Sequence, residues 1–321
     1  MKSAIRSVLA FCATLTMICG EASASPGPPG RRAGAGQSGS VRQEASASGL
    51  GVNIPLVGRL IGGGNTLYIS TVDVTNNATT DTRVDFYLDG IDIATSGKVV
   101  LTGSISSAAA LAPQGTGGSV RGRSNAHFDD FIHAGVQAGM LPSSIEQDGF
   151  IGSVLFVFNG FAKRGQGSAT ARFYNSAFGG TIGEALRGHE ITVNEPQTLV
   201  AAFRDSRGQT AGPQLYANMF INNIGLTPTG TGLAGPVTVH VQAYANSTGQ
   251  PTGTTLDLTI GVGQTVSISD VLHRLNVPAG EDTILVNATV TSGTSAIAGA
   301  AVEVDQTTRN ASVVDMSRAD F

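Results

Sequence analysis

The stretch His127-Phe128-Asp129-Asp130-Phe131-Ile132-His133 returns at 267–273 as Ser-Ile-Ser-Asp-Val-Leu-His. Superposing Asp130 on Asp270 also superposes His133 on His273. Each copy lies between β-rich stretches, and each is followed by an apolar-proline step, Leu141-Pro142 and Val277-Pro278. A pattern repeated at domain-sized spacing signals two copies of one structural unit. The neighbouring sequence repeats in the same order. A half-buried strand over 67–75 ends in Asn76-Asn77, and its counterpart over 214–221 ends in Asn222-Asn223. The long apolar run Phe150–Phe158 matches Thr283–Val290, and Ala169–Tyr174 matches Ala298–Val304.

Between these landmarks the period is that of strands. Leu67 to Thr75 alternates apolar and polar residues, as do Val237, Val239, Val241 and Ala243, and alternation of period two marks a strand with one face buried. Further strands are expected over 52–61, 83–88, from Val99, over 199–203 and 256–262. Turn signals fall at Gly62 to Asn65, Asp89-Gly90, Gly165 to Gly167 and Arg207-Gly208. Helical signals are confined to the two Asp segments and Ile182–Arg187. The expected fold class is all-β: two tandem immunoglobulin-like β-sandwich domains over 49–183 and 184–321, each with one short crossover helix.

The layout resembles a group of secreted bacterial proteins built of tandem immunoglobulin-like sandwich modules. The matching pieces are the strand ending in paired Asn, the Asp-apolar-apolar segment and the late strand pair that closes each module, across residues 49–316. The resemblance implies a fold, and it brings no settled activity with it.

The first 24 residues read as an export signal: Lys2 and Arg6, then a short apolar run from Val8 to Ile18, then Ala22-Ser23-Ala24. That run is shorter than the roughly 20 apolar residues a membrane span needs. Ser25 to Ser48 is rich in Pro, Gly, Ala and Ser and reads as a flexible tether. Both cysteines, Cys12 and Cys19, fall in the signal. The processed chain would thus rely on core burial, with about 300 residues to do it, enough for two ordinary domains. The expectation is a secreted or surface protein, with a bacterial source favoured by cysteine-free export.

Charged residues make up 13% of the chain and the balance is −4, so no basic surface for nucleic acid is expected. Trp is absent and there are five Tyr, which leaves Tyr68, Tyr87, Tyr174, Tyr216 and Tyr244 as stacking residues for a sugar.

Candidate chemistry is sparse. Asp130 with His133, and Asp270 with His273, share a helix face at i, i+3 and invite a metal reading, but Asp is also a preferred N-cap. The cap reading is preferred, since a metal site needs further ligands that cannot be named. Asp89-Gly90-Ile91-Asp92, with Asp81 or Asp85, offers oxygens for calcium, yet a turn explains it. Two Gly-x-Gly-x-x-Gly matches, Gly34–Gly39 and Gly230–Gly235, lack the strand-to-helix setting of a dinucleotide site. His189-Glu190 lacks the second His of a zinc-protease helix. Four sequons begin at Asn77, Asn246, Asn287 and Asn310. A hydrolase assembled from distant residues would draw its base from His127, His133, His189, His240 or His273. The sequence therefore favours a non-enzymatic structural or adhesive protein with no catalytic, cofactor or metal residues. Its partner would be an extracellular protein or polysaccharide. The alternative is a carbohydrate-binding accessory protein.

Overall fold

The computed structural model describes residues 49–62, 66–105, 110–161, 163–175, 185–191, 197–207, 212, 214–225, 234–306 and 311–318. The expected export signal and tether lie outside these residues, as do Gly34–Gly39 and the start of the second glycine motif.

The chain is mostly β, and every strand pair formed is antiparallel. In the first half, β1 (Gly49–Gly62), β2 (Thr66–Asn76), β3 (Val84–Asp92), β4 (Lys98–Ile105), β5 (Leu111–Pro113) and β6 (Ser124–Phe128) come first. Two short helices, α1 (Phe131–Gln137) and α2 (Ile145–Asp148), lead to β7 (Phe150–Asn159), β8 (Gly167–Asn175), β9 (Ala185–Arg187) and β10 (His189–Glu190). β1 runs beside β7 from Gly49 to Arg59 and meets β2 at its far end, from Arg59 to Gly62. One ten-stranded sheet, ordered β5-β4-β3-β7-β1-β2-β8-β9 with β10 on β1 and β6 on β2, therefore folds over on itself.

The fold-over encloses a core. Val72 and Val74 of β2, Phe86 of β3 and Val154, Phe156 and Phe158 of β7 alternate inward, and Phe131 and Ile132 of α1 close its open end. Phe131 meets Phe86, Phe128 and Phe156 edge-on, the arrangement that aromatic quadrupoles favour.

The second half has β11 (Thr198–Arg204), β12 (Leu215–Asn223), β13 (Val237–Ala245), β14 (Pro251–Ile260), β15 (Thr265–Ile268), α3 (Val271–Arg274), β16 (Thr283–Ser292), β17 (Ile297–Asp305), β18 (Ala311–Asp315) and β19 (Ser317–Arg318). Its sheets are β14-β13-β16-β11-β19 and β15-β12-β17-β18. This is the pairing plan of the first half again: β4-β3-β7-β1 corresponds to β14-β13-β16-β11, and β6-β2-β8-β9 to β15-β12-β17-β18.

The halves meet through a third apolar cluster. Leu56, Leu60, Tyr68, Ile151 and Phe173 of the first half pack with Phe220, Ala300 and Val302 of the second. β12 and β17 lie against β1, and β15 against β3. β7 is buried on both faces, which is why Phe150–Phe158 reads as an apolar run broken by Ser153 rather than an alternating one.

Two local expectations fail. Asp89-Gly90 is not a turn but the interior of β3. A Cβ on Gly90 would lie 2.4 Å from both the Ile151 carbonyl oxygen and the Phe150 ring, so the glycine serves close packing. The turn comes after it, where Asp92 Oδ1 accepts from the N–H groups of Ala94 and Thr95 at 3.0 and 3.2 Å. The helix expected at Ile182–Arg187 is, in its described part, the strand β9. Pairing with β8 places Leu186 in the apolar seam and overrides the local propensity.

Candidate functional site

The repeated Asp/His pair is built differently in the two halves. Asp130 is extended, at φ −148°, and its Oδ1 accepts from the His133 N–H at 3.0 Å, an N-cap of α1 as the sequence suggests. Its Oδ2 pairs with Arg59 of β1. Both carboxylate oxygens are therefore committed to structure. The His133 ring does not turn to Asp130 but pairs through Nδ1 with Glu146 of α2.

Asp270 departs from the expected cap. It is left-handed, at φ 46°, and its side chain makes no capping hydrogen bond to α3. Its own N–H donates to Asn218 Oδ1 at 3.1 Å. Burial pushes the Asp270 carboxyl above the usual range. His273 and Arg207 draw it back, the His273 N–H lying close enough to favour the charge without meeting hydrogen-bond geometry, and Asp205 pushes it up again. Arg207 is occupied elsewhere. It grips the buried Asp205 through Nε and Nη2, each at 2.8 Å, and donates from Nη1 to the Val277 carbonyl at 2.8 Å. His273 is exposed. Neither pair forms a metal or acid–base centre.

Sequence reasoning missed the polar constellation on the outer face of β6, β2 and β8. The register sets Asp73 opposite His127 and Thr170, and Thr71 opposite Arg172. Asp73 Oδ1 meets His127 Nδ1 at 2.8 Å and accepts from Asn125 Nδ2 at 2.6 Å. The other ring nitrogen of His127 meets Asp129 Oδ1 at 3.1 Å. The bond to Asp73 raises the His127 pKa above its ordinary value. Burial opposes this, and Asp129 adds to it. Tyr174 stands on the same face, its hydroxyl pKa raised by burial and by the charges of Asp129 and Asp130.

Each ring nitrogen of His127 is turned to a carboxylate, so neither faces an open ligand position. The face instead presents fixed donors and acceptors, with Arg172 and Asp129 free to solvent at its rim. It suits contact with a polar or hydroxylated partner. The only sequence signal was the polar half of each strand's alternation, because which strands lie side by side is not written locally.

The remaining candidates are dispersed. Asp89 is buried and faces Lys98 Nζ at 3.2 Å, Asp85 accepts from Ser104 Oγ at 2.6 Å, and Asp81 accepts from the Gly122 N–H at 3.0 Å. These acids do not converge as a calcium site would require, and among the described residues no group of three or more His, Cys, Asp or Glu could hold a metal ion. His240 pairs across strands with Asp257 at 2.8 Å, and His189 is exposed on β10. Tyr68 and Tyr87 are buried, while Tyr174, Tyr216 and Tyr244 sit on three different sheet layers, so no two tyrosines share an open face. No helix among the described residues is long and apolar enough to cross a membrane. In comparisons with known proteins, no family model matches the chain and no curated protein does.

Proposed function

We propose that the chain is a secreted or cell-surface structural or adhesive protein, of bacterial type, that works by contact rather than by turnover. In this reading an export signal over 1–24 and a spacer over 25–48 precede two immunoglobulin-like sandwiches, expected from the sequence at 49–183 and 184–321; β9 and β10 pair with β8 and β1, so the first extends to Glu190. Each has a short helix crossing from one layer to the other. The repeated pairing plan supports the tandem reading. The likeness to immunoglobulin domains carries one amendment. There the first strand sits beside the second and the last beside the sixth. Here β1 sits with β7, and β8 with β2, so first and last strands have exchanged layers.

The observation that carries the functional reading is the polar face of β6, β2 and β8, where Asp73, Asn125 and His127 are already bonded to one another and Arg172 and Tyr174 stand alongside. Side chains already fixed by one another lose little entropy when a partner arrives. The fitting partner is an extracellular protein or polysaccharide. The second reading, a carbohydrate-binding accessory protein, draws on Tyr174 next to Arg172 on the outer face of β8, and it has one ring for stacking rather than a platform.

Retention of the processed chain on arrays of extracellular proteins and of glycans tests both. The double variant Arg172→Glu/Tyr174→Ala should lose retention while its melting temperature holds. Retention confined to glycans selects the second reading. Turnover in a broad hydrolase screen that disappears on changing one site sinks the non-enzymatic account.

A further inference from the structure

The seam between the halves holds an apolar cluster, and it also buries polar groups without a hydrogen-bond partner among the described residues. Asn53 of β1 and Ser153 of β7 are fully buried, at 0% exposure, and face away from the core of the first half. Among the described residues, no group hydrogen-bonds Asn53 Oδ1, Asn53 Nδ2 or Ser153 Oγ. Across the seam Asn222 of β12 is equally buried. Its Nδ2 donates to the Gly263 and Gln264 carbonyls and to Thr265 Oγ1, at 3.4, 3.2 and 3.2 Å, and its Oδ1 accepts nothing.

The register brings these groups together. Asn53 lies opposite Leu155, which is two residues from Ser153 on the same face of β7. Ser153 lies opposite Asp89. On the second half, Asn222 is flanked by Thr265 on one side and Ala298 on the other. β12 lies against β1 and β15 against β3, so the two polar rows face each other. Ile191 touches both Leu155's cluster and Ala298's, which fixes their proximity.

Sheets packed face to face stand about 10 Å apart, and large side chains normally fill that gap. Here the rows set Asn, Ser, Thr and Ala beside Leu155 and Tyr87, so small polar side chains interrupt the apolar filling. A buried polar atom without a partner costs about 1–3 kcal/mol, and a roomy polar site is where buried water settles.

We propose that the seam contains an ordered water site that bridges Asn53 and Ser153 of the first half to Asn222 of the second. Water fits this donor set better than a cation. Asn53 presents an unpaired donor as well as an acceptor, which a cation would repel. Asp89, opposite Ser153, already faces Lys98, and a hard cation wants six to eight oxygens, several of them charged. The bridge sets the register of one half on the other, which the apolar contacts alone leave loose.

Oxygen-17 magnetic relaxation dispersion of solvent water, on the full chain, reads long-lived internal waters. Ser153→Val fills the space with methyl groups. It should reduce the dispersion amplitude relative to wild type and lower the melting temperature by about 2–4 °C. Asn53→Ser, a milder change, should leave the fold intact and shorten the water residence time, and it decides the matter if Ser153→Val does not fold. An unchanged dispersion in both variants, or a higher melting temperature for Ser153→Val, means that the seam is dry and overturns the proposal.

Discussion

Asp130 and Asp270 occupy the same place in the two halves, yet Asp130 bonds the first turn of its helix and Asp270 does not. Asp130 has the extended backbone of a cap and Asp270 is left-handed, and their neighbouring arginines differ as well. Arg59 reaches Asp130, whereas Arg207 turns to Asp205 and leaves Asp270 partly buried without a direct ion pair.

Asp130→Ala should therefore destabilise the protein by at least the ~0.5–2 kcal/mol typical of a lost cap, because it also strands the Arg59 guanidinium. Thermal or urea unfolding measures this. A melting temperature equal to wild type would show that neither contact matters.

Asp270→Asn should act in the opposite direction at neutral pH. A carboxyl whose folded pKa is raised holds its proton more tightly in the folded chain, so its contribution is fully present below the unfolded pKa and fades as pH rises through the folded value. Above that window the wild type bears the cost of a partly buried charge, and Asn removes it while tolerating the left-handed backbone. The variant should melt higher at pH 7 and lose that advantage near pH 3. An advantage that persists unchanged at pH 3 would assign the effect to the backbone alone.

His127 follows the same sign, its raised folded pKa adding stability at low pH. Its pKa is raised chiefly by Asp73, so the stabilisation is complete below about 6.5 and is lost as pH climbs through the folded value. Proton NMR should place the imidazole transition above that of a free histidine, and Asp73→Asn should bring it down. The melting-temperature gap between wild type and His127→Gln should be wider at pH 5.5 than at pH 8.5.

Glu303 of β17 is buried and takes three hydrogen bonds from Arg204 of β11: from the backbone N–H at 2.6 Å, from Nε at 3.0 Å and from Nη2 at 2.9 Å. Glu303→Ala should cost about 1–3 kcal/mol by leaving a backbone donor without a partner. Glu303→Gln should recover part of this. Because Arg204 is largely exposed, Arg204→Ala should cost less than Glu303→Ala.

What was legible in the sequence follows physical range. Strands over 67–75 and 237–245 announce themselves because one face is buried and alternation records it. The run at 150–158 records burial on both faces, though not by what. The paired asparagines were visible as a repeat but not as a device. Asn76 and Asn223 each accept from the N–H two residues on and each clamp a distant carbonyl, at Val120 and Ile260. That equivalence shifts the apparent alignment by one residue. Asp89-Gly90 misleads because a glycine demanded by close packing looks the same as one demanded by a turn. The polar face of β6, β2 and β8 was invisible: Asp73 and His127 are 54 residues apart, and they meet only once strand order is known. β15 and the short strand β6 were missed for the same reason, their pairing with β12 and β2 being long-range.

Two halves of one pairing plan are stacked through a shared seam, so that β1 of the first half, with Ile151 of β7, is covered by β12 and β17 of the second. Site-resolved amide hydrogen exchange on the wild type and on Phe220→Ala tests it most directly. Phe220 belongs to β12 and packs with Leu56 and Ile151 across the seam. The stacked arrangement predicts that the substitution speeds exchange in β7 and β1 of the first half as well as in β12 and β17. Faster exchange confined to β12 and its own neighbours, with β7 and β1 protected as in wild type, would contradict it.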